Sequence, residues 1–163
     1  IISIDIGANY KGYHGDCART WPCGNVKSNR LKLIEVTEQS FFEGLKYAHP
    51  GNRLSDISHA IEMYAKKFNY GVVRDFTGHG VGSKLHEDPA VPNYGKEGMG
   101  PVLRKGMTLA IEPMINMGTY KVKILADGWT TITSDHSPSA HYENSIVITD
   151  NGYEILTKIK END

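Results

Sequence analysis

The 163-residue chain has no apolar run near the ~18 residues that a membrane-crossing helix needs, and no basic start leading into an apolar core. It is therefore expected to be soluble, unexported and cytoplasmic, with no membrane partner. Cysteine is scarce: Cys17 and Cys23 give neither a disulfide framework nor a CxxC motif, which suits a reducing compartment. An excess of one charge is also missing, since 18 Lys and Arg stand against 19 Asp and Glu. Without a basic block to neutralise a row of phosphates, nucleic acid is not an expected ligand. No repeat, low-complexity tract or linker divides the chain, and its length suits one domain with a real core.

What is present begins abruptly. Ile1 to Ile6 opens inside a β-pattern with no initiator Met, so the sequence is expected to be a fragment. Ile2, Ile4 and Ile6 alternate with Ser3 and Asp5, the period of a half-buried strand, and Tyr10 to Tyr13 turns into a second extended run ending near Trp21. A helix is expected from Ser28 to about His49, with Leu31, Ile34, Thr37, Glu38, Phe41, Phe42 and Leu45 at helical spacing before Pro50-Gly51. A second follows, with Ser55 as N-cap and Ile57, Ala60, Ile61, Tyr64, Ala65 and Phe68 as its stripe up to Gly71. Short β-runs are expected at 72–73, 78–82, 107–111, 122–125, 129–133 and 145–149, with Asp127-Gly128 and Asn151-Gly152 as hairpin turns. The Pro- and Gly-rich stretch from Lys84 to Lys105 reads as a long functional loop. Together these predict an α+β domain with a curved, mostly antiparallel sheet backed by helices.

The chemistry lies in misplaced acids. Asp5 sits between isoleucines, where a carboxylate is costly unless paired, hydrogen-bonded or coordinated. Asp16 lies on the returning arm and could face it across the hairpin, although one of the two could instead cap the turn. Glu112 ends the run Leu109-Ala110-Ile111, and Glu143 precedes Ser145-Ile146-Val147-Ile148. A hidden Lys or Arg could satisfy Glu112, but four such acids are better explained by hard divalent metals. His79, between Gly78 and Gly80, adds an imidazole where backbone and ligand can approach closely. Four carboxylates and one imidazole suit a pair of Mn, Fe, Co or Zn ions, which together activate a water and polarise a carbonyl. Metal-assisted hydrolysis is the implied reaction.

His14-Gly15-Asp16, Gly78-His79-Gly80-Val81-Gly82, His86-Glu87-Asp88-Pro89, Ile111-Glu112-Pro113-Met114 and Tyr142-Glu143-Asn144 resemble, in order and spacing, the motifs of type I methionine aminopeptidases from Ile1 to near Lys158. The resemblance implies the pita-bread fold, with residues 1–163 forming the C-terminal portion of a single catalytic domain. It implies two divalent ions held by Asp5, Asp16, His79, Glu112 and Glu143, with Asp16 and Glu143 bridging and Glu112 also shuttling a proton. His86 resembles the histidine that contacts the scissile amide, Trp129 a wall of the methionine pocket, and Thr77 a small residue beside the metals. The implied substrate is the N-terminus of a peptide or nascent chain, met by a monomer with at most a transient ribosome contact. Leu85 stands where an aromatic pocket residue is expected and His141 where an amide is expected, so both depart from the pattern. A proline-specific peptidase of the same fold, and a binding module that lost its metals, are the alternatives.

Overall fold

A computed structural model describes residues 1–158. β1 (Ile2–Tyr10) and β2 (Tyr13–Trp21) form a hairpin closed by Lys11 and Gly12, with φ of 51° and 88°. Positive φ at both loop positions is what lets a two-residue turn match the twist of its strands. Two helices follow, α1 (Ser28–Leu45) and α2 (Leu54–Lys66). The remaining strands are β3 (Gly71–Val72), β4 (Gly78–Gly80), β5 (Glu87–Val91), β6 (Thr108–Ile111), β7 (Met114–Asn116), β8 (Val122–Ile124), β9 (Thr131–Thr133), β10 (Ser139–His141), β11 (Glu143–Ile148) and β12 (Tyr153–Ile155). The main sheet runs β1-β2-β11-β6-β4-β5, with β12 also on β11, while β10-β7-β3 and β8-β9 form smaller sheets. Every pairing among the described residues is antiparallel.

Strand alternation divides the main sheet into two chemically different faces. Leu109, Ile111, Ile146 and Ile148 point one way, into a buried cluster with Phe41, Leu45, Leu54, Ile57 and Ile61 of the helices. Each such side chain, fully withdrawn from water, contributes roughly 1.5–3 kcal/mol of transfer free energy. Asp5, Asp16, Glu143 and His79 lie on the other face, away from the α1–α2 cluster.

Several expectations are corrected. All of β1 is exposed, with Ile2, Ile4 and Ile6 at 48%, 45% and 58%, because β1 is an edge strand and the helices pack over β6 and β11 instead. Asp5 is therefore not in a buried strand. On α1 the buried stripe is rotated toward Leu33, Val36, Ser40 and Gly44, leaving Leu31 and Glu38 outside. Both helices also end earlier than expected, at Leu45 and Lys66. Arg53, not Ser55, is the N-cap of α2: the Asp56 carboxylate accepts the Arg53 backbone N–H at 2.7 Å, the N3 half of a capping box, while the Arg53 guanidinium, which has no acceptor, makes no side-chain cap. The stretch from Lys84 to Lys105 is not all loop, since β5 pairs with β4 and tolerates Pro89 because it is the far edge of the sheet.

The rotated α1 stripe gives a direct test by chemical denaturation. Leu33→Ala should cost about 2–5 kcal/mol, whereas Leu31→Ala, at a 44% exposed position, should stay within about 0.5 kcal/mol.

Candidate metal centre

Register brings the acids together. Ala18 pairs with Asp5 on one side and with Glu143 on the other, so these three residues form one row across β1, β2 and β11. Asp16 pairs with Gly7, which makes it the diagonal neighbour of Asp5 and not its direct opposite as the hairpin alone suggested. Farther along, Ala110 pairs with both Ser145 and His79, and Glu112 lies two residues beyond Ala110, returning to the same face. Four segments that are remote in sequence thus present their polar side chains in one direction.

Contacts within the cluster are short. Ligand atoms of Asp16, His79 and Glu143 all lie within 4.8 Å of one another. His79 Nε2 is 3.7 Å from Asp16 Oδ2 and 3.6 Å from Glu112 Oε1. The His79 Nδ1–H donates to the Gly80 carbonyl at 2.8 Å, since a carbonyl can only accept. In the neutral ring this leaves the Nε2 lone pair aimed into the cluster, the tautomer a metal requires. Gly78 and Gly80 permit this placement: a Cβ at Gly78 would fall 2.3 Å from the Ala110 carbonyl oxygen, and one at Gly80 2.2 Å from that of Asp88.

The backbone around the acids is braced. The Ser145 hydroxyl accepts the Asp16 N–H at 2.9 Å and donates to the Asp16 carbonyl at 3.0 Å. The Arg19 guanidinium donates to the Glu143 carbonyl and, at 2.8 Å, to Asn144 Oδ1, leaving both Glu143 carboxylate oxygens free of it. Asn93 donates to the Glu112 carbonyl at 3.1 Å from a fully buried position. These supporting residues were not picked out in the sequence; Asn93, a lone amide in a Pro/Gly-rich loop, offered only a weak signal.

Electrostatically the cluster is unbalanced. Among the described residues no Lys or Arg forms an ion pair with Asp5, Asp16, Glu112 or Glu143. Glu143 is 1% exposed, and its Oε1 has no hydrogen-bond partner. Burial, and then the charges of Glu112, Asp16 and Asp5, push its carboxyl up to about 9. Asp5 is raised too, by its own desolvation, opposed by His141 and reinforced by Asp16. Multivalent cations would relieve both burial and mutual repulsion, and the oxygen-rich donor set with one imidazole fits Mn, Fe, Co or Zn.

The substrate-side residues are less uniform. His86 meets His79 edge-on, with ring centroids 4.3 Å apart and planes at 62°, and borders an open depression of about 580 Å³ with Ser83, Lys84, Glu87 and Asp88. Leu85 is half-buried over Gly7, where a Cβ would meet its Cδ1 at 3.0 Å and Asp16 Oδ1 at 3.6 Å. Thr77 is half-buried immediately before β4. Trp129 is different: it is 88% exposed at the tip of the β8–β9 hairpin and forms no closed wall here. Its backbone N–H is instead bound by Asp127 Oδ1 at 3.0 Å, the acceptor of a tight polar turn.

Comparison with known proteins is consistent with this geometry. Residues 1–150 match the model of metallopeptidase family M24. The chain belongs to that family. It is 57% identical over 157 residues to a methionine aminopeptidase of Clostridium acetobutylicum, covering 96% of this chain and 63% of that protein. It is 55% identical over 159 residues to methionine aminopeptidase 1 of Bacillus subtilis, covering 98% and 64%. The crystal structure of methionine aminopeptidase from Thermotoga maritima superposes with a TM-score of 0.93 at 49% identity, over 96% of this chain and 63% of that one. A prolidase from Pyrococcus furiosus reaches 0.74 at 26% identity, over 98% and 41%. The chain thus spans under two thirds of the length of the relatives it matches, and has the α+β pita-bread architecture of the methionine aminopeptidase structures.

In this M24 chain the metal-free site is a liability that pH should expose. Glu143 titrates near 4.5 when unfolded and near 9 when folded, so the folded state holds the extra proton between those values. Its contribution to stability is complete below pH 4.5 and is lost as pH rises toward 9. The melting temperature of the metal-free protein should fall over this range. Glu143→Gln should flatten that slope, and added Mn or Co should raise the wild-type melting temperature most at the alkaline end.

Proposed function

We propose that the protein containing this chain removes N-terminal methionine from polypeptides with a small second residue. The catalyst would be a pair of divalent cations held by Asp5, Asp16, His79, Glu112 and Glu143. The observation that carries the reading is the convergence of four carboxylates and an imidazole on one sheet face, with no Lys or Arg paired to them among the described residues. When bound, the ions would lower the pKa of a water to near 7 and polarise the substrate carbonyl.

The chain's own groups supply the rest. Glu112, at the rim of the cluster, would take a proton from the attacking water and deliver it to the departing amine as the C–N bond breaks. His86, exposed and edge-on to His79, would donate a hydrogen bond to the scissile amide where negative charge develops. Leu85 and Thr77, beside the ligand strands, and Trp129, on its hairpin, would contact the methionine side chain. Identity of 55–57% to methionine aminopeptidases against 26% to a prolidase favours methionine over proline specificity.

Residues 1–163 would form the C-terminal portion of a single catalytic domain. The setting we propose is cytoplasmic, with a monomer acting on nascent chains, transiently at the ribosome, and with no nucleic-acid or membrane partner. Balanced charge offers no basic block for nucleic acid; among the described residues no helix is long and apolar enough to cross a membrane.

The full-length protein loaded with Mn or Co should release methionine from Met-Ala-Ser and leave X-Pro dipeptides intact. Chelation should abolish release, and Glu112→Gln should lower kcat by about 10²- to 10⁴-fold. X-Pro cleavage without methionine release would transfer the protein to the proline-specific class. Failure to bind any divalent metal would favour a binding module.

A further inference from the structure

Two imidazoles flank the Glu112 carboxylate, one at each oxygen. His79 Nε2 is 3.6 Å from Oε1, and His141 Nε2 is 3.5 Å from Oε2. The two rings differ in kind. His79 Nδ1–H is committed to the Gly80 carbonyl, so in its metal-ligating neutral form the ring turns a lone pair, not a donor, toward Glu112. His141 Nε2 is buried and has no hydrogen-bond partner, an expensive state for a polar atom unless a partner is close by. The nearest acidic oxygen is Glu112 Oε2.

The position of His141 is built, not incidental. The Thr20 hydroxyl accepts the His141 N–H and donates to the His141 carbonyl, both at 2.8 Å, and Ser3 Oγ lies 2.8 Å from that same hydroxyl. This is the double brace that Ser145 gives Asp16, applied at a second place on the rim. β10 also pairs His141 directly with Met114, two residues past Glu112. Ring and carboxylate are thereby held at a distance that a small side-chain rotation closes to a charge-assisted hydrogen bond of about 2.7–2.9 Å.

The geometry points to His141 as a positioning residue that donates its Nε2–H to Glu112 Oε2, fixing the carboxylate so that Oε1 faces the cation side of the cluster. This rests on the metal reading above. Glutamine can make the same donation through its amide N–H; leucine and methionine have similar bulk and no donor. Partners of this kind, one step removed from a metal, typically change metal affinity or activity by about 10- to 100-fold.

The test uses the full-length protein. Co(II) affinity by calorimetric titration and the Co(II) visible spectrum are compared for wild type, His141→Leu, His141→Met and His141→Gln, with melting of each metal-free form as the folding control. His141→Leu and His141→Met should weaken Co(II) binding about 10- to 100-fold and alter the spectrum, while His141→Gln should stay within a few-fold of wild type. Nitrogen NMR of the wild-type histidines should show His141 as the Nε2–H tautomer, a readout that survives even if the variants fail to fold. Equal Co(II) affinity in wild type and the donor-less variants would overturn the proposal, as would a glutamine variant as impaired as leucine, or a bare Nε2 on His141. Wild type that binds no Co(II) would overturn the metal reading itself, a result distinct from all of these.

Discussion

Asp5, Asp16, Glu112 and Glu143 are pushed into one another's fields by the sheet, and among the described residues no Lys or Arg pairs with them. Glu143 bears most of this, because it is fully buried and the other three crowd it. The surrounding structure acts against that repulsion. Ser145 pins the backbone of Asp16, Arg19, itself held by Asn144 Oδ1, pins that of Glu143, and Asn93 pins that of Glu112. A site of this kind is a place where folding stability yields to chemistry, and the remainder of the domain has to offset the cost.

The offset comes from the other face of the same strands. Leu109 and Ile111 alternate with Ala110 and Glu112, while Ile146 and Ile148 alternate with Ser145 and Glu143. Each residue that anchors the sheet to the helices therefore sets the direction of a neighbour that serves the site. A slip of one residue in the β6–β11 register would send the acids into the helical core and the isoleucines to the open face. Two incompatible environments on two sides of one sheet make that slip very costly.

The candidate ligands sit on strands or immediately beside them, and the substrate-side groups sit on connections. His86 and Leu85 lie between β4 and β5, and Trp129 lies at the tip of the β8–β9 hairpin. Strands fix ligand positions through ladder hydrogen bonds, whereas connections can vary in shape without disturbing the cluster. That division suits a family in which methionine aminopeptidases and prolidases share an architecture.

Much could be read from residue order alone. The period-2 runs, the Asp127-Gly128 and Asn151-Gly152 turns and the two helical stripes identified the α+β class, and acids lodged in aliphatic runs identified the candidate ligands, because burying charge without compensation is rarely tolerated. Helix rotation, the N-cap at Arg53 and the strand at Glu87–Val91 escaped, since each depends on what packs or pairs against the segment. The exposure of Ile2, Ile4 and Ile6 escaped for the same reason: alternation marks two faces but does not say what covers either one. Local sequence determined which side chains were chemically out of place. Only the tertiary structure decided that Ala18 seats Asp5 beside Glu143, that His79 turns Nε2 inward, and that His141 stands over Glu112, because these relations arise from pairing between strands that are separate in sequence, by more than a hundred residues in the case of Ala18 and Glu143.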